Sequence, residues 1–252
     1  MSVLAVEHLT KRFGGVIALE DVSFSVEAGE VVALIGPNGA GKSTCFNIVN
    51  GQLAADAGEV RLFGARVGGL PPRALFRQGV GRTFQIAATF PTMTVVENVQ
   101  MALVSAARAI RWPAFASLPR QKRDEAQALL ARVGLADAAD RPARALAYGD
   151  VKRLELAVAL AGRPRLLLMD EPAAGMAPNE RAALVTLTRD VVAEGDVAVL
   201  FTEHSMDVVF AFADRILVLA AGRLIASGTP EEIRADPHVQ AVYLGGPEEA
   251  ET

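Results

Sequence analysis

The sequence predicts an α/β fold in which a largely parallel sheet is covered by helices. One observation is a β-branched apolar run, Val31–Ile35, that leads directly into the phosphate-binding spacing G-x-x-x-x-G-K-[ST] at Gly36–Ser43 and then into a helical segment. The second is the alternation of helical and apolar strand segments from residue 151 to residue 220. Because parallel strands are joined by crossover helices, this alternation favours a parallel sheet.

The first third of the chain is predicted to be rich in strands. Short apolar runs there are interrupted at Gly14, Gly29 and Gly58, which is typical of turns between strands. The predicted strands are Leu4–Leu9, Ile17–Val26, Val31–Ile35 and Glu59–Phe63.

Helical patterns dominate the middle of the chain. From Thr94 to Leu146 apolar residues recur at helical spacing, with a break that contains Trp112 and Pro113. The segments that follow are predicted as a helix at Val151–Ala161, strands at Leu166–Met169, Val197–Thr202 and Ile216–Ala220, and a short helix at Thr229–Ala235 before an acidic end.

Composition narrows the classes of function. Lys plus Arg number 25 and Asp plus Glu number 29, so the net charge of -4 provides no general basic field for nucleic acid. No uncharged stretch reaches the roughly 18 to 20 residues of a membrane-spanning helix, and the N-terminus lacks the basic and apolar regions of a signal peptide. The single cysteine, Cys45, excludes an internal disulfide framework. We therefore expect a protein of the reducing cytosol.

The phosphate-binding spacing predicts a site for a nucleoside triphosphate. Its glycines let backbone N–H groups converge on phosphate oxygens, and the following helix adds the positive end of its dipole. Lys42 is expected to reach the β- and γ-phosphates, and the Ser43 hydroxyl to bind Mg²⁺. A chance glycine-rich turn is the alternative, which the flanking strand and helix oppose. The residues predicted to contact ATP here are Gly36, Pro37, Asn38, Gly39, Ala40, Gly41, Lys42, Ser43 and Thr44.

Two carboxylates, Asp170 and Glu171, close the apolar strand Leu166–Met169. Ligands of a parallel sheet gather at its carboxyl edge, so Asp170 is expected beside Ser43, where it helps to hold Mg²⁺. Glu171 is then the candidate general base, or the group that orients the attacking water. An isolated pair of this kind could equally be a solvated strand cap, but the phosphate loop upstream favours the catalytic interpretation.

The pentapeptide Leu146-Ala147-Tyr148-Gly149-Asp150 lies between these elements, shortly before Asp170. With this order and spacing the chain resembles an ATP-binding cassette (ABC) ATPase from about Leu4 to Leu244. In that family the pentapeptide, usually LSGGQ, closes over ATP held by the phosphate loop of a second copy. The resemblance therefore implies ATP contacts in trans, since a glycine-containing helix N-terminus offers N–H donors to the γ-phosphate. The residues concerned are Leu146, Ala147, Tyr148, Gly149 and Asp150.

Three more positions match family motifs. Gln85 matches the Q-loop, whose side chain contacts Mg²⁺ or the attacking water; His204 matches the switch histidine; and Phe13 matches the aromatic residue that stacks on adenine. Any of these residues taken alone is more often a packing or surface residue. The resemblance thus implies the catalytic set Glu171, His204 and Gln85, and the Mg²⁺ set Ser43, Gln85 and Asp170.

The resemblance also implies an architecture and partners. We expect a single ABC ATPase domain at 1–252, with a P-loop NTPase (RecA-like) core and an antiparallel β subdomain at 1–85 and 147–235. An inserted α-helical subdomain at 86–146 is expected to dock a membrane subunit's helix, and a short C-terminal tail occupies 236–252. Expected partners are a second ABC ATPase subunit, as homodimer or heterodimer, integral membrane permease subunits and, indirectly, a substrate-binding protein, with no nucleic acid. The expected location is the cytoplasmic side of the plasma membrane, as a peripheral protein that is soluble when alone.

The Leu-Ala-Tyr-Gly-Asp variant, with Glu171-Pro172-Ala173-Ala174-Gly175, resembles the ATP-binding subunits of branched-chain amino-acid importers. The expected function is therefore ATP hydrolysis that energises such an importer through closure of two cassettes. Ala147, Tyr148 and Asp150 depart from LSGGQ, and Ala177 stands where many cassettes have aspartate. These departures leave a catalytically weak, structural ATP-binding partner as one alternative. A transporter of urea, short amides or other solutes is a second, and a nucleic-acid-acting cassette ATPase is a third, which the absence of a basic excess disfavours.

Overall fold

Two β-sheets and the helices around them form the computed structural model, which describes residues 2–83, 89–107, 122–195 and 197–243. The strands are β1 (Ser2–Phe13), β2 (Val16–Glu27), β3 (Val31–Ile35), β4 (Ala57–Leu62), β5 (Ala65–Arg66), β6 (Val80–Thr83), β7 (Leu166–Asp170), β8 (Ala198–Thr202), β9 (Arg215–Ala220) and β10 (Arg223–Gly228). The helices are α1 (Lys42–Val49), α2 (Pro72–Arg77), α3 (Val95–Ala106), α4 (Arg123–Arg132), α5 (Tyr148–Leu160), α6 (Pro178–Gly195), α7 (Met206–Phe212), α8 (Pro230–Ala235) and α9 (Pro237–Tyr243).

The smaller sheet is antiparallel, with strand order β2-β1-β4-β5. β1 and β2 form a hairpin whose last pair is Phe13 with Val16. The prediction limited β1 to Leu4–Leu9, where the apolar pattern is clear, but the strand continues to Phe13 because pairing with β2 supplies its backbone hydrogen bonds.

The larger sheet has the order β10-β9-β3-β8-β7-β6, and each neighbouring pair except β9 with β10 is parallel. Leu34 of β3 is level with Thr202 of β8, which is level with Asp170 of β7. The carboxyl ends of these three strands therefore lie at one edge of the sheet, as the sequence predicted for the phosphate loop and the carboxylate pair.

Both faces of the larger sheet are covered at its centre, which explains why β3, β7 and β8 are almost continuously apolar. Val31, Ala33 and Ile35 of β3 pack into a core with the helices α3 to α7, whereas Val32 and Leu34 pack into a second core with α1 and the smaller sheet. The predicted α/β class with a parallel sheet is confirmed by this arrangement.

The middle of the chain is helical in the part that the structure describes. A reciprocal cap at Thr94 and Glu97 starts α3, which packs against α4 and α5. The buried side chain of Asn98 accepts a hydrogen bond from the Phe90 N–H at 2.7 Å and donates to the Phe90 carbonyl at 3.2 Å, so the chain entering α3 is fixed.

Some predicted features lie outside the described residues: Gln85, the break around Trp112, and the acidic end after Tyr243. The division of the chain into a core and a helical subdomain stays a prediction. Across the described ranges, the helices are too short or too polar to serve as membrane spans.

Candidate functional site

A cavity of about 360 Å³ opens where β3, β7 and β8 end. The phosphate loop forms one side of it, the residues after β7 and β8 form the other, and the start of β2 closes a third side. Its lining residues are Val16, Ile17, Ala18, Asn38, Gly39, Ala40, Gly41, Lys42, Ser43, Thr44, Glu171, Thr202 and His204. Most of the residues predicted to contact ATP within one chain therefore meet in a single cavity.

The backbone of the phosphate loop needs glycine at two positions. At Gly36 (φ 155°) an added Cβ would lie 2.1 Å from the Leu219 carbonyl oxygen, and at Gly41 (φ 103°) it would lie 2.4 Å from the Ala18 carbonyl oxygen. Gly41 also precedes α1, which no side chain caps. The tight loop thus delivers the first turn of α1, with its N–H donors, to the cavity wall.

Lys42 is folded back onto the loop. Its Nζ donates to the Gly36 carbonyl at 2.6 Å and to the Pro37 carbonyl at 3.0 Å, and the side chain is buried. Burial lowers the pKa of the Lys42 ammonium, and the nearby Glu171 carboxylate opposes that shift. Phosphate oxygens entering the cavity offer this ammonium stronger, charge-assisted partners than two carbonyls.

Glu171 and His204 contact each other across the cavity mouth. His204 Nε2 lies 2.9 Å from Glu171 Oε1, and Glu171 has a left-handed backbone at φ 48°. Its N–H donates to the Thr202 carbonyl at 3.0 Å, which holds that backbone in place. A non-glycine residue with positive φ is uncommon and is found preferentially at functional sites, because surrounding structure must compensate for the strain.

Asp170 is held by its neighbours on the sheet. The Thr202 hydroxyl donates to Asp170 Oδ1 at 2.7 Å, and a guanidinium nitrogen of Arg82 lies 3.7 Å from Asp170 Oδ2. The sequence analysis assigned no role to Thr202 or to Arg82. Their positions follow from the strand register, which puts β6, β7 and β8 side by side.

Glu203 is a site residue that the sequence analysis missed. Its buried carboxylate accepts hydrogen bonds from the Ala173 N–H and the His204 N–H, both at 2.9 Å. One side chain therefore ties the loop after Glu171 to the loop that carries His204. The only sequence signal for a role of Glu203 is its position directly before His204.

The predicted adenine contact lies beside the cavity. Phe13 is half exposed and is paired with Val16, which lines the cavity, while Phe13 itself is not among the lining residues. The ammonium of Lys11 lies 5.5 Å from the centre of the Phe13 ring. A half-exposed aromatic ring whose strand partner lines the cavity is compatible with the predicted stacking, which stays a prediction.

The possible Mg²⁺ ligands are few and have oxygen donors. Ser43 lines the cavity and Asp170 ends β7, which is separated from β3 by β8, whereas Gln85 is outside the described residues. Within the described part of the chain, no three His, Cys, Asp or Glu side chains cluster as a metal cage. This set fits Mg²⁺, which usually keeps several waters and is bound through one or two protein oxygens plus substrate phosphates.

The pentapeptide at 146–150 starts α5 and does not line the cavity. Ala147 is the N-cap residue without a side-chain cap, and the Tyr148 hydroxyl donates to the Ala174 carbonyl at 3.1 Å. A Cβ on Gly149 would lie 2.6 Å from Glu180 Oε1. This helix start is therefore not part of the cavity that the phosphate loop of the same chain lines.

Comparisons with known proteins agree with this geometry. The family profile described as "ABC transporter" matches residues 19–174, and a profile described as "Branched-chain amino acid ATP-binding cassette transporter" matches residues 223–249. The chain is 42% identical over 249 residues to the high-affinity branched-chain amino acid transport ATP-binding protein BraF of Pseudomonas aeruginosa, covering 96% of this chain and 98% of that protein. It is 35% identical over 247 residues to the lipopolysaccharide export system ATP-binding protein LptB of Escherichia coli, covering 97% and 98%.

The solved structures that resemble this chain are also ATP-binding cassettes. A nucleotide-free ATP-binding cassette from an ABC transporter superposes with a TM-score of 0.85 at 34% identity, covering 97% of this chain and 100% of that one. The cassette MJ0796, a dimer in a post-hydrolysis state bound to ADP and Pi, superposes with a TM-score of 0.75 at 25% identity, covering 90% and 98%.

Proposed function

The chain belongs to the ABC transporter family of ATPases, and on that premise we propose that it is the ATP-hydrolysing subunit of a membrane importer for branched-chain amino acids. One observation carries the ATPase assignment: the loop around Lys42, the Glu171 carboxylate and the His204 ring line a single cavity at the carboxyl edge of a parallel sheet. The match of residues 223–249 to the branched-chain profile supports the choice of substrate, together with the higher identity to BraF than to LptB.

We propose that the triphosphate is held by the loop from Gly36 to Thr44. Its phosphates would draw the Lys42 ammonium away from the Gly36 and Pro37 carbonyls, and the first N–H groups of α1 would donate to phosphate oxygens. Phe13 would cover the adenine from the β1–β2 hairpin. Bound Mg²⁺, held by Ser43, Gln85 and Asp170, would neutralise charge on the β- and γ-phosphates.

Glu171 would act as the general base. It would accept a proton from the water whose oxygen attacks the γ-phosphorus, while the bond from that phosphorus to the bridging oxygen of ADP breaks. His204, 2.9 Å from the Glu171 carboxylate, would orient it and contact the γ-phosphate. Glu203 would keep the His204 backbone in position, because its carboxylate accepts a hydrogen bond from the His204 N–H.

A second cassette would complete the site. The start of α5, with Leu146, Ala147, Tyr148, Gly149 and Asp150, lies away from the cavity of its own chain, so it would reach the γ-phosphate held by a partner subunit. Ala147 lacks the hydroxyl of the usual serine, which leaves the backbone N–H groups of this helix start as the donors to the phosphate. The dimeric state of MJ0796 supports this arrangement. The partner would be another copy or a similar ATPase.

The permease would dock in a second cavity, of about 420 Å³. Helix α2 supplies Pro72, Arg73 and Phe76 on one side, and α3 supplies Ala102 and Ser105 on the other. The sequence analysis predicted that the helical segment at 86–146 forms the whole docking surface, but α2 would also contribute residues to it. Arg82 lines this cavity and also approaches Asp170, so it would link a docked helix to the nucleotide site. The chain would then lie at the cytoplasmic face of the membrane as a peripheral subunit.

Uptake in cells tests the proposal. Deleting the chain's gene is expected to abolish high-affinity uptake of radiolabelled leucine, isoleucine and valine, and a plasmid with the parent chain is expected to restore it. The variant Glu171→Gln should not restore uptake, because proton acceptance from water is lost. Unlabelled urea and a short amide serve as competitors.

Each outcome separates one part of the proposal from the rest. Loss of urea or amide uptake in place of leucine uptake would move the chain to another solute. ATP hydrolysis by the purified complex at the same rate with Glu171→Gln as with the parent would contradict the base assignment. If the complex hydrolysed no ATP at all, the chain would be the structural partner that the Ala147, Asp150 and Ala177 departures allow.

A further inference from the structure

The C-terminal helix reaches back to the first glycine of the phosphate loop. Tyr243, the last residue of α9, accepts a hydrogen bond at its hydroxyl from the Gly36 N–H at 2.9 Å and donates to the Gly36 carbonyl at 3.2 Å. The contact joins the last described residue of the chain to the phosphate loop. The proposed function uses neither Tyr243 nor α9.

One neutral hydroxyl makes both of these hydrogen bonds. Burial raises the pKa of Tyr243, and the hydrogen bond with Gly36 opposes that shift. The phenol therefore stays protonated at neutral pH and can donate and accept at the same time. Because the Gly36 N–H and carbonyl belong to successive peptide groups, the hydroxyl fixes both peptides that flank this glycine.

Gly36 is restrained on its opposite side as well. Its backbone lies so close to the end of β9 that an added Cβ would meet the Leu219 carbonyl oxygen at 2.1 Å. Its own carbonyl accepts a second hydrogen bond, from Lys42 Nζ at 2.6 Å. The same oxygen thus serves both the lysine that must reach the nucleotide and the tyrosine of the C-terminal helix.

We propose that Tyr243 is a positioning residue of the phosphate loop, which keeps the Gly36 carbonyl hydrogen-bonded when Lys42 leaves it for a nucleotide phosphate. The inference rests on the proposed function, since it requires Lys42 to transfer to a phosphate. In the nucleotide-free chain the carbonyl has two donors; in the nucleotide-bound chain it has Tyr243 alone. The C-terminal helix therefore lowers the free-energy cost of releasing Lys42 and so raises nucleotide affinity.

The helix that carries Tyr243 is itself held firmly. Asp236 Oδ1 accepts hydrogen bonds from the His238 N–H at 2.8 Å and the Val239 N–H at 3.2 Å, and Val239 is buried in the core. These contacts fix the direction of α9 independently of the tyrosine hydroxyl. The helix lies within residues 223–249, the segment that matches the branched-chain profile.

Binding of MgADP to the full-length chain tests the proposal. ADP has the β-phosphate that Lys42 can reach but no γ-phosphate, so its affinity reports the loop without the second cassette. The variant Tyr243→Phe keeps the ring and removes the hydroxyl. We expect the dissociation constant measured by calorimetry to rise about 3- to 10-fold, because one acceptor is left unsatisfied in the bound state only. The Gly36 N–H loses its partner in both states, so that loss cancels.

The control variant is Val239→Ala, which loosens the same helix without touching the hydroxyl. It should lower the melting temperature of the nucleotide-free chain and leave the MgADP dissociation constant unchanged. An unchanged constant for Tyr243→Phe would overturn the inference, and so would an equal rise for Val239→Ala, which would assign the effect to helix packing. A parent chain that bound no MgADP would overturn the proposed function instead.

Discussion

The two halves of the proposed ATP clamp are held in different ways. The phosphate-loop half, residues 36–44 with Asp170, Glu171 and His204, stands on buried strand ends and is braced by the buried side chains of Thr202 and Glu203. The signature half, residues 146–150, is a helix start with an exposed tyrosine and no side-chain cap. The first half depends on particular side chains and strained backbone, whereas the second offers mainly backbone donors.

This contrast predicts that substitutions in the signature half are tolerated. Ala147 replaces serine and Asp150 replaces glutamine, yet the N–H groups at a helix N-terminus do not depend on side-chain identity. In the phosphate-loop half, by comparison, Lys42, Glu171 and His204 each supply a group that the backbone cannot replace. Substitutions in the phosphate-loop half should therefore abolish activity or binding. Substitutions in the signature half should change the ATPase rate or the stability to a smaller extent.

The largest expected effect is that of Glu171→Gln in the phosphate-loop half. We expect the ATPase rate to fall by about 10²- to 10⁴-fold, because the amide cannot accept the proton from water. ATP binding should persist, and the two cassettes should pair more tightly in the presence of ATP. The measurements are phosphate release and size-exclusion chromatography with MgATP.

The matched control for this substitution is Glu194→Gln, at a surface carboxylate that pairs with Arg132 and does not line the cavity. It should leave the rate unchanged within about twofold, since surface ion pairs contribute little. Equal ATPase rates for Glu171→Gln and Glu194→Gln would contradict the assignment of Glu171 as the general base.

A pair of glycine substitutions compares the two halves directly. Gly36→Ala forces a Cβ against the Leu219 backbone, so we expect MgADP binding to be lost and the free energy of unfolding to fall by about 1–3 kcal/mol. Gly149→Ala meets only the movable end of the Glu180 side chain. It should leave the melting temperature and MgADP binding nearly unchanged but lower the ATPase rate by up to about 10²-fold, through displacement of the trans donors.

Comparison of the two glycine variants tests whether the clamp is divided between two chains. If Gly149→Ala weakened MgADP binding as strongly as Gly36→Ala, the helix start would belong to the site of its own chain. The proposed separation of the clamp between two chains would then be wrong.

A smaller effect is expected from Ala147→Ser at the start of α5. The N-cap backbone is already extended at φ -65° and ψ 158°, so a serine hydroxyl could accept from the first-turn N–H groups. We expect the free energy of unfolding, measured by urea denaturation, to rise by about 0.5–1 kcal/mol. The converse variant, Thr94→Ala at the capped start of α3, should lower it by about 1 kcal/mol. A destabilising Ala147→Ser would show that this helix start has no room for a cap.

The smallest effect is expected for Cys45, whose thiol should stay unmodified by thiol reagents in the native chain. This result would assign Cys45, which lies next to the phosphate loop, a role in packing and none in chemistry. The thiol is fully buried, and burial raises its pKa to about 12. At about pH 8 almost no thiolate forms, so iodoacetamide should not label the native chain, with or without nucleotide. Labelling should become complete in denaturant. Nucleotide-sensitive labelling of the native chain would contradict the packing role.

Local spacing was sufficient for the parts of the site that follow one another along the chain. The glycine spacing, the strand before it and the carboxylates at the end of β7 are short-range patterns, and the fold placed them together because parallel strands end at a common edge. The predicted helix at Val151–Ala161 began late: α5 starts at Tyr148, since its first turn carries few apolar residues for a periodic pattern to detect.

The amino-acid sequence by itself therefore determined the α/β class, and it gave Lys42, Asp170 and Glu171 as the candidate chemical groups of a phosphate-loop site. The tertiary structure alone decided which side chains support them: Thr202 on Asp170, Glu203 between the loops at Ala173 and His204, and Tyr243 on Gly36. The reason is physical. A helix or strand pattern reports neighbours within a few residues, whereas these hydrogen bonds join residues brought together only when the sheet register and the C-terminal helix are in place.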